Sequence, residues 1–93
     1  MSRYNQIGRV ATRVYTENGI TKVMYHDTIV ISFNDKSIQL NTNGWHTVTT
    51  KRRINQASNQ YNLGIGVYQS EGNWYVSKGD KVILFIDNMI IPR

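Results

Sequence analysis

Three consecutive cations, Lys51-Arg52-Arg53, follow a stretch rich in hydroxyl side chains, Gly44-Trp45-His46-Thr47-Val48-Thr49-Thr50. Guanidinium, ammonium, threonine hydroxyl and backbone N–H groups are the usual contacts to phosphate. The spacing predicts a helix over 50–61, with Thr49 or Thr50 as its cap and the three cations in its first turn. A helix N-terminus already carries a partial positive charge, so cations there are misplaced by about 0.3–1 kcal/mol each when exposed. A bound anion reverses that sign. The expected site is therefore a phosphate-binding helix start made of His46, Thr49, Thr50, Lys51, Arg52 and Arg53. Asn55, Gln56 and Asn59 extend its exposed face with groups able to read base edges.

Other chemistry is thinly supplied. His26-Asp27 has the composition of a metal-binding pair, but strand neighbours point to opposite faces and no second cluster accompanies it. His46 has no acidic or cysteine neighbour in the sequence. No Walker loop, Gly-x-Ser-x-Gly, His-Glu-x-x-His or paired-carboxylate pattern occurs. The expectation is a non-enzymatic protein without metal or cofactor. Four rings, Trp45, Trp74, Tyr75 and Tyr68, are candidates for base stacking or for a protein interface. Because Trp74 and Tyr75 are adjacent on a predicted strand, at most one of them faces the core.

The elements that must position these groups alternate between two hydrophobic periods. Arg9 to Thr16 reads as a strand, and Asn18-Gly19 predicts a tight hairpin into Ile20 to His26. From Thr28 to Phe33, Ile29, Ile31 and Phe33 alternate with Thr28, Val30 and Ser32; Ile38 and Leu40 continue after Asn34-Asp35-Lys36. Thr50, Ile54, Ala57 and Tyr61 form the apolar stripe of the helix, which Asn62 and Gly64 stop. Ile65 to Gln69 and Asn73 to Ser77 form another hairpin. Lys81 to Ile86 is apolar on both faces, as expected of a central strand. Met89 to Ile91 ends the pattern before Pro92. The fold class is α+β: one domain, with the helix packed on one face of a curved antiparallel sheet of about five to seven strands. Residues 1–8 read as an arm.

The 93 residues carry a net charge of +5, and their pI is near 9.8. No acidic residue precedes Glu17 or falls between Lys36 and Ser70, so the basic tracts holding Arg3, Arg9, Arg13, Lys36 and Lys51–Arg53 are uninterrupted. The six acids sit in turn contexts, which explains them without catalysis. There is no cysteine, and the polar N-terminus lacks the apolar run of a signal peptide. Apolar runs are too short to span a membrane. These features lead to the expectation of a soluble, intracellular protein.

Tyr25-His26-Asp27-Thr28, Asn41-Thr42-Asn43-Gly44-Trp45 and Thr47 to Gln56 together resemble a family of short proteins encoded by tailed bacteriophages, with the likeness spanning about residues 25–76. The resemblance implies a phage product made in the host bacterial cytoplasm and brings no activity with it. Nucleic acid, DNA or RNA, is the expected partner. The alternatives are an inhibitor or modulator of a host protein, and a structural component that self-associates through the apolar segments Val82 to Ile86 and Met89 to Ile91.

Overall fold

The computed structural model describes residues 12–44 and 46–93. The expected lead-in, Arg3, Arg9 and Trp45 lie outside the described residues. Eight strands and one helix follow in order: β1 (Thr12–Glu17), β2 (Ile20–Tyr25), β3 (Thr28–Phe33), β4 (Ser37–Leu40), α1 (Val48–Tyr61), β5 (Ile65–Ser70), β6 (Asn73–Lys78), β7 (Lys81–Leu84) and β8 (Met89–Pro92). The α+β class holds. The strands divide between two antiparallel sheets, ordered β1-β2-β3-β4-β8 and β5-β6-β7, rather than forming the one sheet expected. The division has a local cause: α1 separates β4 from β5, so the last three hairpin-linked strands begin a sheet of their own. The helix bridges the two, lying against β2 and β3 on one side and β5 on the other.

Turn chemistry sets the registers. Asn18-Gly19 and Glu71-Gly72 adopt φ of 53° and 78°, and 52° and 83°, the pairwise positive values that two-residue hairpins require. The Asn34 side chain accepts from the backbone N–H of Lys36 and Ser37, fixing the β3–β4 turn.

A single apolar core joins the layers. Val23, Ile31, Phe33, Ile38, Leu40 and Ile91 come from the large sheet, Ile54 and Ala57 from α1, and Val67, Trp74 and Val76 from the small one. The predicted helix stripe packs as expected, with Thr50, Ile54 and Ala57 buried and Tyr61 against Phe33. Asn62 ends α1 at φ 55°, as expected of a left-handed cap.

Two sequence expectations are revised. Simple alternation along β3 fails at Val30: the β2–β3 register passes from Val23–Ile31 to Met24–Ile29 and skips it. Val30 is a bulge residue, buried at 1% exposure, and beyond it Thr28 takes the face that unbroken alternation gives to Ile29. The other revision concerns β7, which is an edge strand and not a central one. All four of its residues are exposed. Apolar residues on both faces usually signal burial, but the chain leaves β7 through Phe85 to Asn88 and joins the larger sheet as β8, so no strand among the described residues pairs with its outer side.

Candidate functional site

The helix starts earlier than its composition suggests. Thr47 is the N-cap: its hydroxyl accepts from the Thr50 N–H at 3.1 Å, and its carbonyl accepts from the Lys51 N–H at 3.2 Å. The Thr47 and Thr50 hydroxyls lie 3.0 Å apart, so the inward Thr50 oxygen is satisfied where a capping box places a glutamate or glutamine. With Val48 as the first helical residue, Lys51 ends the first turn, and Arg52 and Arg53 belong to the second. The electrostatic penalty expected of three cations falls mainly on Lys51. No acidic residue compensates it in that turn.

The three cations point in three directions, because successive helical residues are about 100° apart. Lys51 reaches the small sheet: its ammonium donates to Gln69 at 3.1 Å and sits 5.3 Å from the Trp74 ring. Arg52 is half-buried between the two sheet-facing sides. Arg53 turns to the large sheet and is only 6% exposed. Its Nε donates to the Thr12 hydroxyl at 2.9 Å, its Nη1 to Gln56 at 3.1 Å, and its guanidinium lies 5.6 Å from the Tyr25 ring. Arg53 therefore braces α1 against β1 and β2.

The base-reading expectation is corrected by the same geometry. Gln56 is 4% exposed and engaged with Arg53. Asn55 lies against β5, donating to the Val67 carbonyl at 3.0 Å and accepting from its N–H at 2.8 Å. Of the three amides, Asn59 alone is exposed. Trp74 is buried under α1, so it is not a stacking platform, whereas Tyr68 and Tyr75 stack on the opposite face with centroids 5.6 Å apart. His46 is exposed and sets its ring edge against Trp74 at 4.9 Å.

Beside the helix start lies a feature that one-dimensional reading missed. A cleft of about 630 Å³ is lined by Tyr25, His26, Thr28, Thr42, Thr47 and Thr49, with Asp27 and Asn43 also on its wall, Val30 on its floor and Thr50 behind. The β3 bulge makes it, by directing Thr28 and Val30 toward α1. The Tyr25–Thr28 turn, the Asn41–Gly44 turn and the Thr47–Thr50 helix start converge here. The signal was the number of threonines in those three segments; what hid it was the unseen bulge.

Asp87 ties the cleft to the far end of the molecule. Its carboxylate accepts from the Thr42 N–H at 2.8 Å, from the Thr42 hydroxyl at 2.8 and 3.0 Å, and from the Gly44 N–H at 3.4 Å. Partial burial pushes this carboxyl up, but the Thr42 and Gly44 hydrogen bonds and nearby His46 outweigh it, leaving the group below the ordinary 3.8. Among the described residues no group of three or more His, Asp or Glu side chains is gathered as a metal site, and no helix is long and apolar enough to cross a membrane.

The profile of the Kyanoviridae Gp96 protein family matches residues 2–92, nearly the whole chain. The chain belongs to that family. It is thus a tailed-phage protein, and the match takes in the first strand, which the sequence resemblance had left out. No curated protein and no solved structure matches it.

Proposed function

We propose that this Kyanoviridae Gp96 family member is a phage accessory protein that binds nucleic acid in the host cytoplasm, across the amino-terminal end of α1. One observation carries the reading. Among the described residues Lys51 and Arg52 have no carboxylate within ion-pair distance, and the ion pair found there is Lys22–Glu17, on the β1–β2 hairpin. The cations follow directly in α1 on Thr47, Thr49 and Thr50, which line a hydroxyl-walled cleft in a size range suited to a small ligand, although neither Lys51 nor Arg52 lines the cleft itself. Lys51 and Arg52 neutralise phosphates, while Thr47, Thr49 and His46 supply hydrogen bonds and the cleft receives one nucleotide unit. Arg53, Thr50, Asn55 and Gln56 support the site from within.

Binding of labelled single- and double-stranded DNA and RNA, measured by anisotropy at two salt concentrations, tests the reading. Phosphate-dominated binding weakens steeply with salt. Lys51→Glu/Arg52→Glu abolishes it, and Thr49→Trp, which fills the cleft, weakens it without changing the fold. Equal affinity for the double variant and the native chain refutes this site. Failure of all four probes to bind refutes the reading and favours the alternative, a host protein as partner.

A further inference from the structure

Strand β7 is built unlike the other strands. Val82, Ile83 and Leu84 are 54%, 44% and 55% exposed, on both faces of the strand. Its backbone direction follows from its neighbour. Phe85 donates its N–H to the Trp74 carbonyl at 3.0 Å, and the register continues as Val76–Ile83 and Lys78–Lys81. Hydrogen-bonded pairs alternate along an antiparallel ladder, so Lys81, Ile83 and Phe85 face β6. Val82 and Leu84 consequently turn their N–H and C=O groups away from it, with no backbone partner among the described residues. A row of free ladder groups flanked by apolar side chains is a template for another strand.

We infer that β7 pairs with β7 of a second copy of this chain, antiparallel about a two-fold axis through Ile83. This register sets Val82 opposite Leu84 of the second copy, and Leu84 opposite its Val82, so the same free groups satisfy one another in four hydrogen bonds. Ile83 meets its own copy as a non-hydrogen-bonded pair, with Cα atoms about 4.5 Å apart. On the outer face, the row Tyr68, Tyr75, Leu84 continues into Val82 of the second copy.

Charge favours a copy of this chain over an unrelated strand. The start of the strand carries Lys78, Asp80 and Lys81, a net single positive charge, and Asp87 follows its end, so antiparallel self-pairing sets a net positive beginning toward a negative end. Lys81 faces Phe85 of the second copy, and no like charges stand opposite one another. The strand also offers only two residues with free backbone groups. That is a small ladder for capturing a foreign peptide, but a dyad uses both residues twice.

The chain has no cysteine, so single cysteine variants report the register directly. Ile83→Cys places two thiols within the roughly 4.4–6.8 Å Cα separation that disulfides span, and oxidation yields a covalent dimer. Val82→Cys, whose opposite residue is Leu84, cross-links far less. Sedimentation of the native chain at micromolar concentration shows a dimer that added salt does not dissociate, unlike a nucleic-acid complex, since screening reduces repulsion between two chains of charge +5. Ile83→Lys weakens it by roughly tenfold, from a lost apolar pair and two opposed charges. A native chain that stays monomeric overturns the inference and leaves the edge to a foreign partner. Equal cross-linking at positions 82 and 83 overturns the register.

Discussion

Removing the Asp87 carboxylate is expected to loosen the loop that carries the helix start. Thr42 is 1% exposed, and its N–H and hydroxyl both end on Asp87. Hydrogen bonds to a charged group contribute about 1.5–3 kcal/mol each, and a buried donor left without an acceptor costs about 1–3 kcal/mol. Asp87 itself is partly exposed, which places its two short bonds at the lower end. Asp87→Ala should therefore cost about 2–3 kcal/mol, which for a domain of this size lowers Tm by about 10–20 °C. Asp87→Asn keeps one acceptor for the Thr42 N–H and should cost about 1 kcal/mol. The pH dependence is the sharper test. A carboxyl whose pKa falls on folding contributes stability that is complete above its ordinary 3.8 and disappears as pH drops through the lower folded value. Urea unfolding at neutral and acidic pH should thus show the native chain and Asp87→Ala converging in acid. A gap below about 0.5 kcal/mol at neutral pH refutes the clasp, as does a gap that is unchanged in acid.

Asn55→Ala strips both backbone partners from Val67 and should cost about 2 kcal/mol in urea unfolding, leaving the Ser58–Ile65 hydrogen bonds to tie β5 to α1. Arg53 and Arg52 should separate stability from binding. Arg53→Lys cannot reproduce the fork to Thr12 and Gln56 and should destabilise by about 1–2 kcal/mol while the salt dependence of nucleic-acid binding stays put. Arg52→Ala should leave unfolding within about 0.5 kcal/mol and lower the salt slope by about 0.7–0.9. Thr47→Ala removes the N-cap and should cost about 1 kcal/mol, read from the same unfolding curves.

Local patterns carried much of this fold in the sequence. The hairpin glycines, the Thr50–Ile54–Ala57–Tyr61 stripe and the Asn62 stop each depend on residues a few positions apart, and each was legible. Interactions across distance were not. The bulge at Val30 shows only against β2, and the sheet division only once α1 is seen to intervene. Arg53 and Gln56 read as solvated because a wheel of one helix cannot show that a second element, carrying Thr12, lies over that flank. Thr47 is hard to read as the cap from sequence because Val48 interrupts the threonines and invites a later start, at Thr49 or Thr50. A start at Thr49 or Thr50 puts Arg52 and Arg53 into the first turn and makes the helix start look more strained than it is.

The two proposed surfaces share one connecting segment of the chain. His46 stands against Trp74 at 4.9 Å and Phe85 at 6.4 Å, and Phe85 directly follows the edge strand. Asp87, two residues later, holds the loop that leads to the Thr47 cap. A dimer formed through β7 therefore carries two basic corners, each anchored to the strand pair that makes the interface. Two weak sites on one rigid body bind a single polymer more tightly than either alone, provided the polymer spans both. Such avidity would let the proposed corner, with Lys51 and Arg52 as its cations, hold a nucleic acid. It also yields a dependency: Ile83→Lys, which touches no residue of the corner, should weaken binding to a long strand and leave binding to a short one unchanged. Equal losses on both lengths break the link between the surfaces.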